Sequence, residues 1–399
     1  MQTPPKGEAL ALNNELMTKE WGRINPSDFP NLHREHCTLT DYHIDTYNCI
    51  AWSVGEKQFW ISPPKTRDEF VKLYEIFGAE EIKKKDDPRV FAAGYLKNGV
   101  PTHAARVYNE LWESKFGEGP RLTHPPTGLD GSNSYGSATI YFSTPYDPAG
   151  KLNQLRELVA NRKPKTDLTP IRQNLEQHCQ PLFKAFDDHL KAWEAACKKM
   201  SKDTLPAEYA QIQECNPLLA LGPKILPLLV EKFPSGDFGF AAGLYDKLQS
   251  DHRYTVPADR VDIKCTLKAE SLKIVDLYVE DFFNVIVRTA LQNFEKPKKP
   301  FANRQELLKS NEFLDIAQQG WKVIPFMLDS YIKQHREGKA SLWHIVLEEF
   351  NNPKGQTDKP IAASTKADFD KWIDWFNKVT PQQWSDGDHK LYEKYQNDI

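Results

Sequence analysis

Hydrophobic and polar positions follow two rhythms along the chain. Up to about Asp147, short runs alternate between Pro and Gly breaks: Lys57-Gln58-Phe59-Trp60-Ile61, Ala104-Ala105-Arg106-Val107-Tyr108 and Ala138-Thr139-Ile140-Tyr141-Phe142. A period of two suits a half-buried strand, so all three are predicted strands. Helical spacing is confined here to Arg67–Phe77, where Phe70, Leu73, Tyr74 and Phe77 share a face, and to a shorter segment opening near Cys49.

After Pro145-Tyr146-Asp147-Pro148-Ala149-Gly150 the period lengthens. Ile171, Leu175, Leu182, Phe186, Leu190 and Trp193 recur at helical spacing, and Leu272 to Phe294 is apolar enough for a mostly buried helix. Val261 to Leu267 alternates strictly and reads as one short strand, and Lys296-Pro297-Lys298-Lys299-Pro300 reads as a solvated linker. The fold class is therefore α+β. A mixed domain over residues 1–150 precedes an all-α domain over residues 165–399.

The helical part carries an internal echo. Leu221-Gly222-Pro223-Lys224-Ile225-Leu226-Pro227-Leu228-Leu229 matches Gln319-Gly320-Trp321-Lys322-Val323-Ile324-Pro325-Phe326-Met327 at Gly, Lys and Pro. An amphipathic segment follows each copy, so two helix pairs are predicted, at about 216–251 and 314–351, and they resemble HEAT-type repeats. Pro227 and Pro325 are expected inside helices, where each would kink its helix and free a carbonyl.

Composition narrows the function classes. A chain of 399 residues is long for one core. With 52 Lys and Arg against 55 Asp and Glu, it lacks the general basic field of a nucleic-acid binder. There is no apolar run of membrane-spanning length and no basic-then-apolar leader pattern at the start, so a soluble, cytosolic protein is expected. Six cysteines are too sparse and irregular for a disulfide framework. Gly-rich phosphate loops, H-E-x-x-H and G-x-S-x-G are absent, which removes kinase, P-loop, zincin and α/β-hydrolase readings, and no cofactor is expected.

The stretch richest in chemistry is Tyr47-Asn48-Cys49-Ile50-Ala51-Trp52-Ser53-Val54-Gly55. Asn48 is a good N-cap and Gly55 a good terminator, so Cys49 opens a helix, where free N–H groups favour a thiolate. An activated Cys needs a base, and Thr102-His103-Ala104-Ala105 puts His103 at the start of a predicted strand. Cys49 and His103 are the expected dyad. A rival metal site from His33, His36, Cys37, His43 and Cys49 lacks any standard paired spacing, and no metal is expected.

These residues carry a resemblance. Tyr47 to Ser53, Phe59-Trp60, Pro101-Thr102-His103, Trp112-Glu113-Ser114-Lys115-Phe116-Gly117 and Leu122-Thr123-His124 resemble an uncharacterised microbial and fungal domain family. That family has a Y-N-C-[IY]-A-[WY]-[AS] helix, an [ST]-H strand and a W-x-S-K-x-G hairpin. The order Cys-helix, His-strand, polar strand also resembles NlpC-type and CHAP-type papain-like cysteine hydrolases. The resemblance implies a papain-like N-terminal domain with Cys49 as nucleophile and His103 as base. The imidazole would be oriented by His124, which fits by side-chain type, or by Ser114, which fits by position, with Glu113 a further candidate. The backbone N–H groups of Asn48 and Cys49 would form the oxyanion hole. Tyr47, Trp52, Trp112, Glu113 and Lys115 would support the site. Asn48 stands where the papain-like branch carries an acidic residue.

The expected function is cysteine-dependent hydrolysis of an amide, peptide or isopeptide bond, with the helical domain selecting a protein substrate or partner. The alternative is a catalytically inactive papain-like fold that serves as an interaction module. Neither nucleic acid nor membrane is an expected partner.

Overall fold

The computed structural model describes residues 16–108, 111–145, 150, 153–154, 156, 167–201, 204–234, 238–257, 260, 264, 266–353 and 361–396. It divides into two compact units, Met1–Ala160 with Ala258–Ala269, and Asn161–Pro257 with Glu270–Ile399. The chain is α+β: the first unit is built on an antiparallel sheet and the second is helical.

In the first unit, β1 (Thr38–Asp41), β2 (Glu81–Ile82), β3 (Val90–Lys97), β4 (Val100–Tyr108), β5 (Leu111–Lys115), β6 (Arg121–His124) and β7 (Ser137–Ser143) form one sheet in the order β1-β6-β5-β4-β3-β7-β2. Helix α1 (Cys49–Ser53) packs on β4 and β5, and α2 (Arg67–Ile76) packs nearby on β4. Both helices follow their sequence signals. The Asn48 side chain caps α1 by accepting from the Ala51 N–H at 3.0 Å, and Gly55 just beyond is left-handed at φ 92°. Thr66 caps α2 by accepting from Glu69 N–H at 3.2 Å.

The sheet has two apolar faces. On one, Tyr47, Cys49, Ile50, Trp52, Phe70 and Tyr74 pack against Ala92, Ala104, Ile140 and Phe142. On the other, Phe29, Leu32 and Leu129 pack against Ala93, Tyr95, Ala105, Trp112, Phe116 and Leu122. Close approach on the first face depends on Gly94, where a Cβ would lie 2.4 Å from Phe70 Cε1. The predicted strand at Lys57–Ile61 does not form. The buried Glu56 carboxylate takes the N–H groups of Lys57 (2.7 Å) and Gln58 (2.5 Å), which a ladder would need.

The second unit follows its helical periodicity through α3 (Thr169–His178), α4 (Gln180–Cys197), α5 (Leu226–Lys232), α6 (Leu267–Val275), α7 (Arg288–Glu295), α8 (Ile324–Arg336), α9 (Trp343–Asn351), α10 (Lys366–Lys378) and α11 (Pro381–Gln396). Between α6 and α7 the chain stays helical but widens to i→i+5 bonding over Asp276–Val287. The alternating Val261–Leu267 segment is not a strand at its described end, because Leu267 opens α6. Residues 261–263 and 265 lie outside the described residues.

The two echoed segments adopt one geometry. Gly222 (φ 76°) and Gly320 (φ 65°) are left-handed, each leads into a 3₁₀ turn, and α5 or α8 follows directly. Pro227 and Pro325 therefore sit in the first turn of their helices, where no backbone N–H is required, and the expected kinks are absent. Helix α11 covers both turns: a Cβ on Gly222 would meet Pro381 Cγ at 3.1 Å, and one on Gly320 would collide with the Asp388 carboxylate. Asp388 also accepts from the Trp321 N–H at 2.7 Å.

The two lysines have diverged. Lys224 is buried and donates to the carbonyls of Phe376 (3.1 Å), Asn377 (3.2 Å) and Val379 (2.9 Å), closing the end of α10. Lys322 instead bonds the Asp251 carboxylate, with its ammonium over the rings of Tyr254 (5.1 Å) and Phe282 (5.2 Å).

Candidate functional site

Strand alternation divides the predicted site residues between the two faces of the sheet. Ala104 packs with Cys49, so its neighbour His103 points the other way, into the cluster of Ala105. The His103 ring stacks on Tyr135 at 4.0 Å and meets Tyr95 edge-on at 5.3 Å. The expected Cys49–His103 dyad is therefore not assembled. One residue of strand parity decides it, and the sheet lies between the two side chains.

On the His103 face, β4 pairs with β5 so that Ala105 opposes Ser114, and β5 pairs with β6 so that Trp112 opposes His124. Ser114 consequently lies between two imidazoles, 3.0 Å from His103 Nε2 and 2.8 Å from His124 Nε2. The protons can be placed. His124 Nδ1 donates to the Pro125 carbonyl at 2.8 Å, leaving Nε2 to accept from the Ser114 hydroxyl, which in turn accepts from His103 Nε2–H. His103 Nδ1 is left buried and without a partner. Burial pushes His124 down to about 4. Burial, helped by the charge of His124, holds His103 well below the ordinary imidazole range. Both rings are neutral at neutral pH. His103, Ser114, His124 and Trp112 are all buried, and they form a polar seam inside the core.

The opposite face gathers the other predicted residues. Tyr47, Asn48, Cys49 and Trp52 come from α1 and its cap, and Glu113 and Lys115 alternate on β5. Three residues that the sequence reading did not single out complete the group: Asp41 on β1, Arg106 on β4 and Arg121 on β6. Carrying the period of two through Ala104-Arg106, Glu113-Lys115 and Arg121-Thr123 would have placed all of these strand positions on the face of Cys49.

The electrostatics of this face are dense. Arg121 donates to Tyr47 Oη at 3.2 Å and to Thr40, pairs with Glu113 at 3.0 Å and Asp41 at 3.3 Å, and lies 3.9 Å above the Trp52 ring. Lys57 approaches the same ring at 4.8 Å and Arg106 at 4.7 Å. Lys115 is fully buried and donates to the carbonyls of Gly117 and Gly119 (2.6 Å for the latter), with its ammonium 5.4 Å from the Tyr47 ring. Burial brings Lys115 down to about 8, opposed by the charges of Cys49 and Asp41. Cys49 is 7% exposed and carries no disulfide.

The sheet that positions this face is also the part of the chain that is similar to known sequences. Residues 38–143 match the family model of a domain of unknown function (DUF7689). The match runs from β1 to β7 and covers the motifs whose resemblance to an uncharacterised family was read from the sequence. No curated protein and no solved structure matches the chain.

Within the DUF7689 span, His43 pairs with Glu20 at 3.2 Å and Cys49 belongs to the α1 cluster. Cys37, just before it, donates to the His33 carbonyl at 3.3 Å. Among the described residues no three His, Cys, Asp or Glu side chains converge on a metal position, and no helix is long and apolar enough to cross a membrane.

Proposed function

We propose that the DUF7689 region is a cysteine-dependent amide or isopeptide hydrolase in which Lys115, rather than His103, serves Cys49. The observation that carries this reading is the placement of Cys49 and Lys115 on one face, where α1 packs on β5 and the Lys115 ammonium lies 5.4 Å from the ring of Tyr47, two residues before Cys49. An amine that titrates at about 8 can hold either protonation state near neutrality. Neutral Lys115 takes the thiol proton, Cys49 Sγ attacks the carbonyl carbon, and the Lys115 ammonium returns the proton to the departing amine. A water, deprotonated by Lys115, then cleaves the thioester and regenerates the thiol.

The likeness to NlpC-type papain-like enzymes then extends to a Cys-led helix on an antiparallel sheet, with a different base. The helical unit, with HEAT-type pairs at about 216–251 and 314–351, is proposed to select a protein substrate or partner, and the setting is proposed to be cytosolic. The burial of Cys49 favours a second reading, an interaction module without turnover.

Iodoacetamide and activity-based cysteine probes on the full chain separate the two. For a hydrolase, Cys49 is modified ahead of Cys179, Cys197 and Cys215, its rate rises through about pH 8, and Lys115→Met removes that rise. A Cys49 that stays unmodified under native conditions while other cysteines react would overturn the hydrolase reading and leave the interaction module.

A further inference from the structure

Arg106 differs from Arg121 and Lys115 on the Cys49 face. Arg121 spends its guanidinium on Glu113, Asp41, Tyr47 and Thr40, and Lys115 spends its ammonium on two carbonyls. The Arg106 guanidinium makes no hydrogen bond or ion pair among the described residues. It is held by packing instead, with Cζ 4.7 Å from the Trp52 ring and 4.7 Å from the Phe91 ring. Contact with two aromatic rings leaves its N–H groups unspent, on a half-buried strand position.

A second unspent donor lies beside it. Trp52 is 7% exposed, and its Nε1–H is buried with no hydrogen-bond partner. A native core rarely leaves a buried donor unpaired, and this one stays available to an acceptor brought by a bound molecule. Trp52 is three residues after Cys49 on α1, and residues so spaced are neighbours on a helix surface. The unspent donors thus stand one helical turn from the thiol.

We propose that Arg106, with Trp52 Nε1–H beside it, binds a carboxylate of the substrate, which makes the substrate an amide carrying a carboxylate near the bond that Cys49 attacks. The proposal rests on the hydrolase reading for its link to catalysis, but the carboxylate site stands on its own geometry. A ring-flanked guanidinium offers its edge, and a planar carboxylate meets that edge with two parallel hydrogen bonds. Glu113, whose charge is felt at Arg106, disfavours a dianion and leaves a monoanion as the better fit.

Two measurements on the full chain test this. In the first, iodoacetate and iodoacetamide compete for Cys49 in the wild type and in Arg106→Gln. The iodoacetate-to-iodoacetamide rate ratio should fall about tenfold in the variant, as expected for loss of one charge-assisted contact, and taking the ratio cancels any general change in Cys49 reactivity. An unchanged ratio overturns the proposal. In the second, phenylglyoxal modifies Arg106, read by mass spectrometry, with N-acetylglutamate or N-acetylglutamine present. Protection by the carboxylate compound alone supports the site, and equal protection or none overturns it. If neither alkylating reagent reaches Cys49, the hydrolase reading fails, and phenylglyoxal protection alone decides whether Arg106 binds carboxylate.

Discussion

Ser114 Oγ lies 2.8 Å from His124 Nε2, and this bond makes the buried histidines a structural pair. Ser114 donates to one ring and accepts from the other, so Ser114→Ala strands a donor on His103 and an acceptor on His124. The expected cost is about 2–4 kcal/mol in denaturant unfolding, from two buried groups left unpaired. His103→Phe should cost far less, because the native ring already carries an unpartnered Nδ1 and stacks flat on Tyr135. Neither change should alter alkylation of Cys49. A fall in that rate for His103→Phe would restore His103 to the site.

Acid should act on the same pair. Both histidines have folded-state pKa values below their unfolded values, so the fold favours the neutral rings. Their contribution is complete above about pH 6.5 and is lost as pH falls towards 4, since the unfolded chain takes up the protons first. His124 alone accounts for on the order of 3 kcal/mol across that window. Thermal unfolding of the full chain between pH 7 and 4 should show the decline, and His124→Gln should flatten it.

Gly94 tests the packing of the Cys49 face. An added methyl would fall 2.4 Å from Phe70 Cε1, so Gly94→Ala is expected to destabilise by about 1–3 kcal/mol. Phe70→Leu should recover part of that loss in the double variant, because the two residues share one volume. Strict additivity in a double-mutant cycle would place the clash elsewhere.

In the helical unit, Asp251 and Lys322 should show strong coupling. Burial raises the Asp251 carboxyl, but the hydrogen bonds from Arg253 and Lys322 override it and hold it well below the usual carboxylate range. Asp251→Asn leaves a mostly buried ammonium unpaired and should cost about 3–5 kcal/mol. Adding Lys322→Met removes that charge and should return much of the stability. Equal losses in the single and double variants would show that the pair carries no net coupling.

The sequence was most legible where local chemistry decides the outcome. Asn48 and Thr66 cap their helices, Gly55 lies beyond the first, and the change from period two to helical spacing marks the helical region. It was least legible where parity or a distant partner decides. The order of Cys49 and His103 along the chain is compatible with either face of a sheet, and only the packing of Ala104 against α1 shows which face each takes. Lys57–Ile61 has a strand's alternation, but Glu56 captures its N–H groups. Arg106 reads in the sequence as one more charge in a strand, because which cation is left without a partner depends on the neighbouring strands.

Helix α11 lies over both Gly222 and Gly320. During synthesis it is made after everything that it covers. The earlier helices can form in sequence as they leave the ribosome, but both glycine turns stay uncovered until residues 381–388 have emerged. Covering of the two turns is thus tied to translation of α11. Nascent chains stalled before residue 381 should remain open to proteases at both turns together, however many of the preceding helices have formed.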